Sequence, residues 1–440
     1  MFLLGVVLMI VGVAASIALH ELGHMVPAKK FGVKVTQYMI GFGPTIFSRR
    51  RGETEYGVKA IPLGGYIRMV GMFPPAPGED PSRVRASSTG RWSQLVDQAR
   101  EAAFEQIPEH EAHRVFYKLP THRKVIIMFG GPFMNLVIAA VLLIVIACGI
   151  GVKTQVTADV ASVATCLSTA HGTVPKTCAT PSPAAAAGLQ AKDRIESVDG
   201  VKVSTTLAAT AIIRAHPNQQ IPMVIVRGGE RRMITITPAL RTLPKTDDRG
   251  LPVTNWTGSV ETVRAGQIGA GIGGTLVRER ESLTAAPAII GGGVQQTAAV
   301  FVKIPQKMIG VFNAAFGSGQ RDQNGPMSVV GVGRIAGDVT ESTQVSNTDK
   351  IVLLLSLIAS LNLALFVFNL IPLLPLDGGH VAGALWEALK RPIARARGIK
   401  GPIYVDVAKA LPVAYGVSMV LLVMFGLLFY ADIVNPIKFN

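Results

Sequence analysis

His20, Glu21 and His24 form a His-Glu-x-x-His sequence at the end of an uncharged apolar run, Met1–Leu19. On a helix, residues four apart stand one above the other about 6 Å along the axis, so both imidazoles can reach one divalent cation. Glu21 then sits beside that cation, where a carboxylate can take a proton from water that a metal has made acidic. A third protein ligand and a water would complete a tetrahedral Zn2+ site. Two helix-end histidines and a glutamate at a membrane boundary would spell the same five letters. The cost of ionisable groups near hydrocarbon, when they are neither paired nor functional, argues for the metal.

The candidate third ligand lies far along the chain. A third apolar run, Ile351–Leu376, contains Asn362 and ends in Asn369-Leu370-Ile371-Pro372-Leu373-Leu374-Pro375-Leu376-Asp377-Gly378-Gly379-His380. Asp377 stands where two prolines break an apolar helix, at the same end of the membrane as His24. Its other reading is an N-cap for the segment that follows.

The 440 residues are 49% hydrophobic with mean hydropathy +0.39 and formal net charge +15. That is too apolar for an ordinary soluble enzyme. Four uncharged runs can cross a hydrocarbon core of roughly 30 Å: Met1–Leu19, Val125–Val152, Ile351–Leu376 and Ala410–Ala431. The first has no basic residue before it and Lys29 and Lys30 after it, so it reads as a permanent helix, not a cleaved signal. Lys34, Arg114, Lys118, Arg123, Lys124, Lys390, Arg391, Arg395, Arg397 and Lys400 cluster at one set of run ends, against Lys153, Lys350 and Lys438 at the other. The basic side is cytoplasmic by this bias, which leaves 153–350 outside. An anionic leaflet accounts for the positive charge, and no nucleic-acid motif is present.

The expected organisation is a polytopic α-helical membrane protein. Residues 1–26 form the first transmembrane helix, 27–124 a cytoplasmic or re-entrant sheet with an amphipathic segment, and 125–152 the second transmembrane helix. Residues 153–242 form an outward domain and 243–350 a membrane-proximal region. The third helix takes 351–380, a cytoplasmic loop 381–409 and the fourth helix 410–433. Within 27–124, Val33–Ile40, Thr45–Ser48, Thr54–Ile61 and Tyr66–Val70 read as a small antiparallel sheet; a Pro-rich linker, Met72–Glu79, and a polar helix, Ser87–Tyr117, follow. Asn135, in the second run after Gly130-Gly131-Pro132, must bond inward, to another helix or to substrate. In the outward stretch, a strand at Val156–Val163, a short helix after Pro183, an Asp199-Gly200 turn, a helix at Thr206–Ala215 and strands at Pro222–Arg227 and Arg232–Pro238 resemble a bacterial PDZ domain. Cys148 reads as an apolar packing residue. Cys166 and Cys178 are outward, either bridged, as expected here, or two thiols.

His20-Glu21-x-x-His24, the Asn369…Asp377-Gly378-Gly379 element and a PDZ domain between them resemble the site-2 protease family of intramembrane zinc metalloproteases. The likeness extends to Gly41-Phe42-Gly43, Ile61-Pro62-Leu63-Gly64-Gly65-Tyr66, Gly131-Pro132 with Asn135, and Gly325-Pro326. It implies that His20, His24 and Asp377 bind zinc, that Glu21 is the general base, and that Asn369, Gly64 and Gly65 hold substrate with Asn135 lining the site. It also implies substrates that are single-span membrane proteins, such as anti-sigma factors or signal-peptide remnants, already trimmed by a site-1 protease. Two features depart from the family pattern: Leu373 and Leu374 separate the two prolines, and one PDZ domain is found where many members carry two. A zinc transporter would also place His and Asp in membrane helices, but gains nothing from Glu21 and would show inverted repeats. An inactive PDZ tether would not need intact ligands and base.

Overall fold

The computed structural model describes residues 1–72, 113–167, 180–247, 250, 253, 260–317, 325–398, 404 and 410–436. The linker at Met72–Glu79 lies almost wholly outside these residues, as do most of the helix expected at Ser87–Tyr117 and all of Cys178. The helices are α1 (Phe2–Lys30), α2 (Thr121–Ile144), α3 (Pro183–Ala186), α4 (Thr206–Ala215), α5 (Ala286–Val302), α6 (Ile304–Phe316), α7 (Val329–Glu341), α8 (Asn347–Asn369), α9 (Asp377–Ala396) and α10 (Leu411–Val434). The chain divides into two compact units, Met1–Ile146 with Ser282–Asn440, and Ala147–Glu281.

Among the described residues, five helices are long and apolar enough to cross a membrane. Four coincide with the expected runs, and α5 with its preceding turn, Leu283–Val302, is an additional one inside the stretch expected to be membrane-proximal. Gly291–Gly293, Gln295 and Gln296 dilute its apolar character, which is why a search for uninterrupted runs passes over it. The helices meet through small and polar side chains, as lipid-embedded helices must. A Cβ on Gly23 of α1 would strike the Gly130 carbonyl of α2, and one on Gly130 would strike that of Gly23. Buried Asn362 of α8 donates to Ser16 Oγ of α1 at 2.9 Å.

The sheet beside α1 is built from two long bent strands, β1 (Val35–Arg51) and β2 (Thr54–Met69). Ile40 opposes Gly65, Met39 opposes Tyr66 and Tyr38 opposes Ile67, which is antiparallel; so is the pairing of Phe47 with Val58 and Arg50 with Glu55. Between these, Gln37, Tyr38, Met39 and Ile40 oppose Glu55, Tyr56, Gly57 and Val58 with both numbers rising, a parallel register. The four expected segments are therefore present in a mixed sheet, not an antiparallel one. Residues 65–69 form one edge, the first half of β1 and 54–58 lie inside, and 45–51 form the other edge. The Arg114 guanidinium clamps Glu53, at the turn joining the strands, through two bonds of 2.8 and 2.7 Å.

The second unit contains β3 (Val152–Gln155), β4 (Ala158–Val163), β5 (Arg194–Val198), β6 (Val201–Lys202), β7 (Ile221–Arg227), β8 (Glu230–Ile236), β9 (Ala239–Pro244), β10 (Thr262–Gln267), β11 (Ala270–Gly273) and β12 (Leu276–Glu279). Its main sheet runs β11-β4-β5-β7-β8, with β6 on β5. Val160, Ile195, Val198, Ile221, Met223, Ile225 and Ile236 alternate inward from these strands and pack on Ala209 and Ile213 of α4. The unit continues to Glu281, past the boundary expected at 242, because β11 returns to pair with β4 and β12 with β3. Cys166 is buried within it and disulfide-bonded; Cys148 lies in the π-helical turn Val145–Ile150.

Candidate metal centre

α1 carries His20 and His24 one turn apart on one face, and their Nε2 atoms lie 3.3 Å from each other. Asp377 does not end the third apolar helix as its position in that run suggested. α8 stops at Asn369, the chain turns through Leu370–Leu376, and Asp377 opens α9. Its Oδ2 lies 3.4 Å from His20 Nε2 and 3.3 Å from His24 Nε2. The three residues form a cluster able to hold a metal ion.

The outer nitrogens fix the tautomers. His24 Nδ1 lies 2.8 Å from the Ile127 carbonyl oxygen, which can only accept, so Nδ1 carries the hydrogen and Nε2 presents a lone pair. His20 Nδ1 lies 3.0 Å from the Asn135 amide nitrogen, while Asn135 Oδ1 is buried with no hydrogen-bond partner. A half-turn of that amide places Oδ1 on His20 Nδ1–H, satisfies the oxygen and frees His20 Nε2 as well. Two nitrogen lone pairs then converge with Asp377 Oδ2, itself buried without a hydrogen-bond donor. Three such acceptors repel one another unless a cation lies between them. Zinc bonds of about 2.0–2.1 Å in tetrahedral geometry separate neighbouring ligand atoms by about 3.3 Å. The observed 3.3, 3.4 and 3.3 Å match this spacing, so the residues fit zinc.

Glu21 is also buried, and the Ile67 main-chain N–H of the 65–69 edge bonds its carboxylate. A Cβ on Gly65 would lie 3.0 Å from Glu21 Cγ and 2.9 Å from Ile17 Cγ2, so the absence of a side chain lets this edge lie directly on α1. Gly64 precedes it with φ +110°, against the Phe42 ring. Asn135, expected to face substrate, is fully buried with its amide turned to His20. Asn369 closes α8, partly buried, and is not among the groups that hydrogen-bond the ligands. The Ile127 carbonyl and the Ile67 amide carry no residue-type signature, and sequence reasoning missed both. Gly131 was visible in the sequence as half of a Gly-Gly pair in an apolar helix; a Cβ there would collide with His24 Nε2.

The model of peptidase family M50 matches residues 8–413 of the chain. Zinc metalloprotease Rip1 of Mycobacterium tuberculosis is 34% identical over 449 residues, covering 100% of this chain and 99% of that protein. Zinc metalloprotease RasP of Geobacillus kaustophilus is 24% identical, covering 88% and 90%. Metalloprotease MmpA of Caulobacter vibrioides is 27% identical, covering 89% of each. With His20, His24 and Asp377 converging at the spacing zinc requires, the chain belongs to peptidase family M50, the site-2 protease family, as a multi-pass membrane zinc metalloendopeptidase that acts in intramembrane proteolysis.

Proposed function

We propose that the chain hydrolyses peptide bonds within the transmembrane segments of single-span proteins, with His20, His24 and Asp377 as zinc ligands and Glu21 as the general base. The observation that carries this reading is the 65–69 edge lying against Glu21. A transmembrane helix hides its peptide groups in its own i→i−4 bonds, so a segment must unwind before it can be cut. An edge strand beside the base offers such a segment new main-chain partners, and Gly64 and Gly65, at that edge, hold it through their backbone. Asn369, at the end of α8, is the further residue proposed to hold the segment.

Zinc, when bound, acts as a Lewis acid that acidifies water and polarises the scissile carbonyl. Glu21 takes the proton from the attacking water and passes it to the departing amide nitrogen as the C–N bond breaks. His24 is held for this by Ile127, and His20 by Asn135.

The basic residues at the Lys29, Lys124 and Lys390 ends of their helices support a cytoplasmic placement for those ends, with the second unit joined to the opposite end of α2. That unit is read as a PDZ domain, on the strength of its sheet and α4. Cys178 is the proposed disulfide partner of Cys166. A folded domain outside cannot present a bond to ligands that lie toward the cytoplasmic side, so its role is to control admission. The substrates are then proteins already shortened by a site-1 protease: anti-sigma factors, and signal-peptide remnants as a second class. The test uses purified, zinc-loaded protein and one single-span protein with and without a folded outward domain. Cleavage inside the transmembrane segment of the shortened form only is expected; equal cutting of both would remove the admission role.

A further inference from the structure

α2 carries, along one stripe, everything that orients the two histidines: the Ile127 carbonyl, Gly131 and Asn135. The same stripe begins one turn earlier with Lys124, which is buried and donates to both carboxylate oxygens of Glu387 at 3.0 and 2.9 Å. Glu387 is buried on α9, the helix that Asp377 opens. Roughly 16 Å of helix axis separate Lys124 from Asn135, and roughly 15 Å separate Glu387 from Asp377. The two helices therefore run between the same two levels, and the Lys124–Glu387 pair sets the register in which α9 delivers its first residue to the histidines. We infer that Lys124 and Glu387 are positioning residues for the third zinc ligand, so that α2 alone aligns all three ligands.

The arrangement has a built-in control. Arg391 also bonds Glu387, but from one turn further along α9 itself. It can support the carboxylate without fixing α9 to α2.

The inference rests on the proposal that these three residues hold zinc, and it is read with metal ions and protein alone. Lys124→Gln and Glu387→Gln each weaken zinc binding about tenfold or more and alter the visible spectrum of Co2+ bound in place of zinc. Arg391→Gln stays within threefold of wild type with an unchanged spectrum. The double variant Lys124→Met/Glu387→Met fills the space without charge, a replacement that buried pairs commonly tolerate. It folds, yet shows the same altered spectrum. A wild-type cobalt spectrum and zinc affinity in the double variant, or an Arg391→Gln effect as large as that of Lys124→Gln, overturns the inference while leaving the zinc site standing. No cobalt spectrum in the wild-type protein would overturn the site itself.

Discussion

The membrane unit and the inserted unit deal with buried polar groups in opposite ways. Among the described residues of Ala147–Glu281 the one deeply buried carboxylate, Asp193, is fully served: Arg227 donates to both its oxygens at 2.7 Å, and the Gln190 amide adds a bond of 2.8 Å. In the membrane unit lie all four of the buried side-chain atoms without a hydrogen-bond partner among the described residues: Thr121 Oγ1, Asn135 Oδ1, Asn362 Oδ1 and Asp377 Oδ2. Two of those four belong to the candidate metal centre or its support. Unmet acceptors are costly in a dry interior; turning the Asn135 amide onto His20 meets its oxygen from within the chain, which leaves Asp377 Oδ2, facing two imidazole nitrogens, as the atom that calls for a cation. The paired carboxylate of the inserted unit marks only stability.

The contrast is broken most severely by removing chemistry and keeping shape. Glu21→Gln is expected to retain stoichiometric zinc and lose about a thousandfold or more in cleavage rate, checked by metal analysis beside a peptide-bond assay. Activity within tenfold of wild type would remove Glu21 as the base. A smaller effect is expected from the supports. Asn135→Leu and Gly131→Ala should each weaken zinc binding about tenfold to a hundredfold, the first by releasing His20 and the second by pushing His24 off its position, as titration with a chelator would show.

The inserted unit should respond in stability and not in metal binding. Arg227→Met strands Asp193 and is expected to lower the unfolding midpoint at neutral pH, with zinc affinity unchanged. The sign with pH follows from the pair. Burial pushes the Asp193 carboxyl up, but Arg227 and the Gln190 amide outweigh it and hold it below its ordinary value. The stabilisation is therefore fully present above pH about 4 and disappears as acid protonates the folded state, so wild type and Arg227→Met should converge in acid. A smaller effect of the same sign belongs to Glu53, whose carboxyl the Arg114 guanidinium holds below its usual range. Arg114→Gln should loosen the β1–β2 turn above pH about 4, seen as faster amide exchange there, by under about 1 kcal/mol.

What the sequence made legible was chemistry written in residue types. His20, His24 and Asp377 could be singled out as a candidate metal cluster because few other residue types bind zinc, with Glu21 beside them, and the four uninterrupted apolar runs because hydrocarbon admits little else. α4 was placed at Thr206–Ala215 by its pattern and spans those residues, with Thr205 found to cap it. What stayed hidden depends on relations between distant parts. Ile127 serves through its carbonyl, which every residue has. Lys124 and Glu387 look like loop charges until α2 and α9 are set side by side. The parallel register inside the sheet needs β1 to fold against both halves of β2. The additional apolar helix is diluted by glycine and glutamine, whose compatibility with lipid depends on what they pack against.

The most direct test of the central claim, a zinc-assisted general base acting on an unwound transmembrane segment, is to map the bond that is cut. Purified protein reconstituted in lipid with zinc and a tagged, shortened single-span protein should yield two fragments whose new ends, by mass spectrometry, lie inside the transmembrane segment, and none with Glu21→Gln or after chelation. New ends confined to residues outside that segment, or the same fragments from Glu21→Gln, would contradict it.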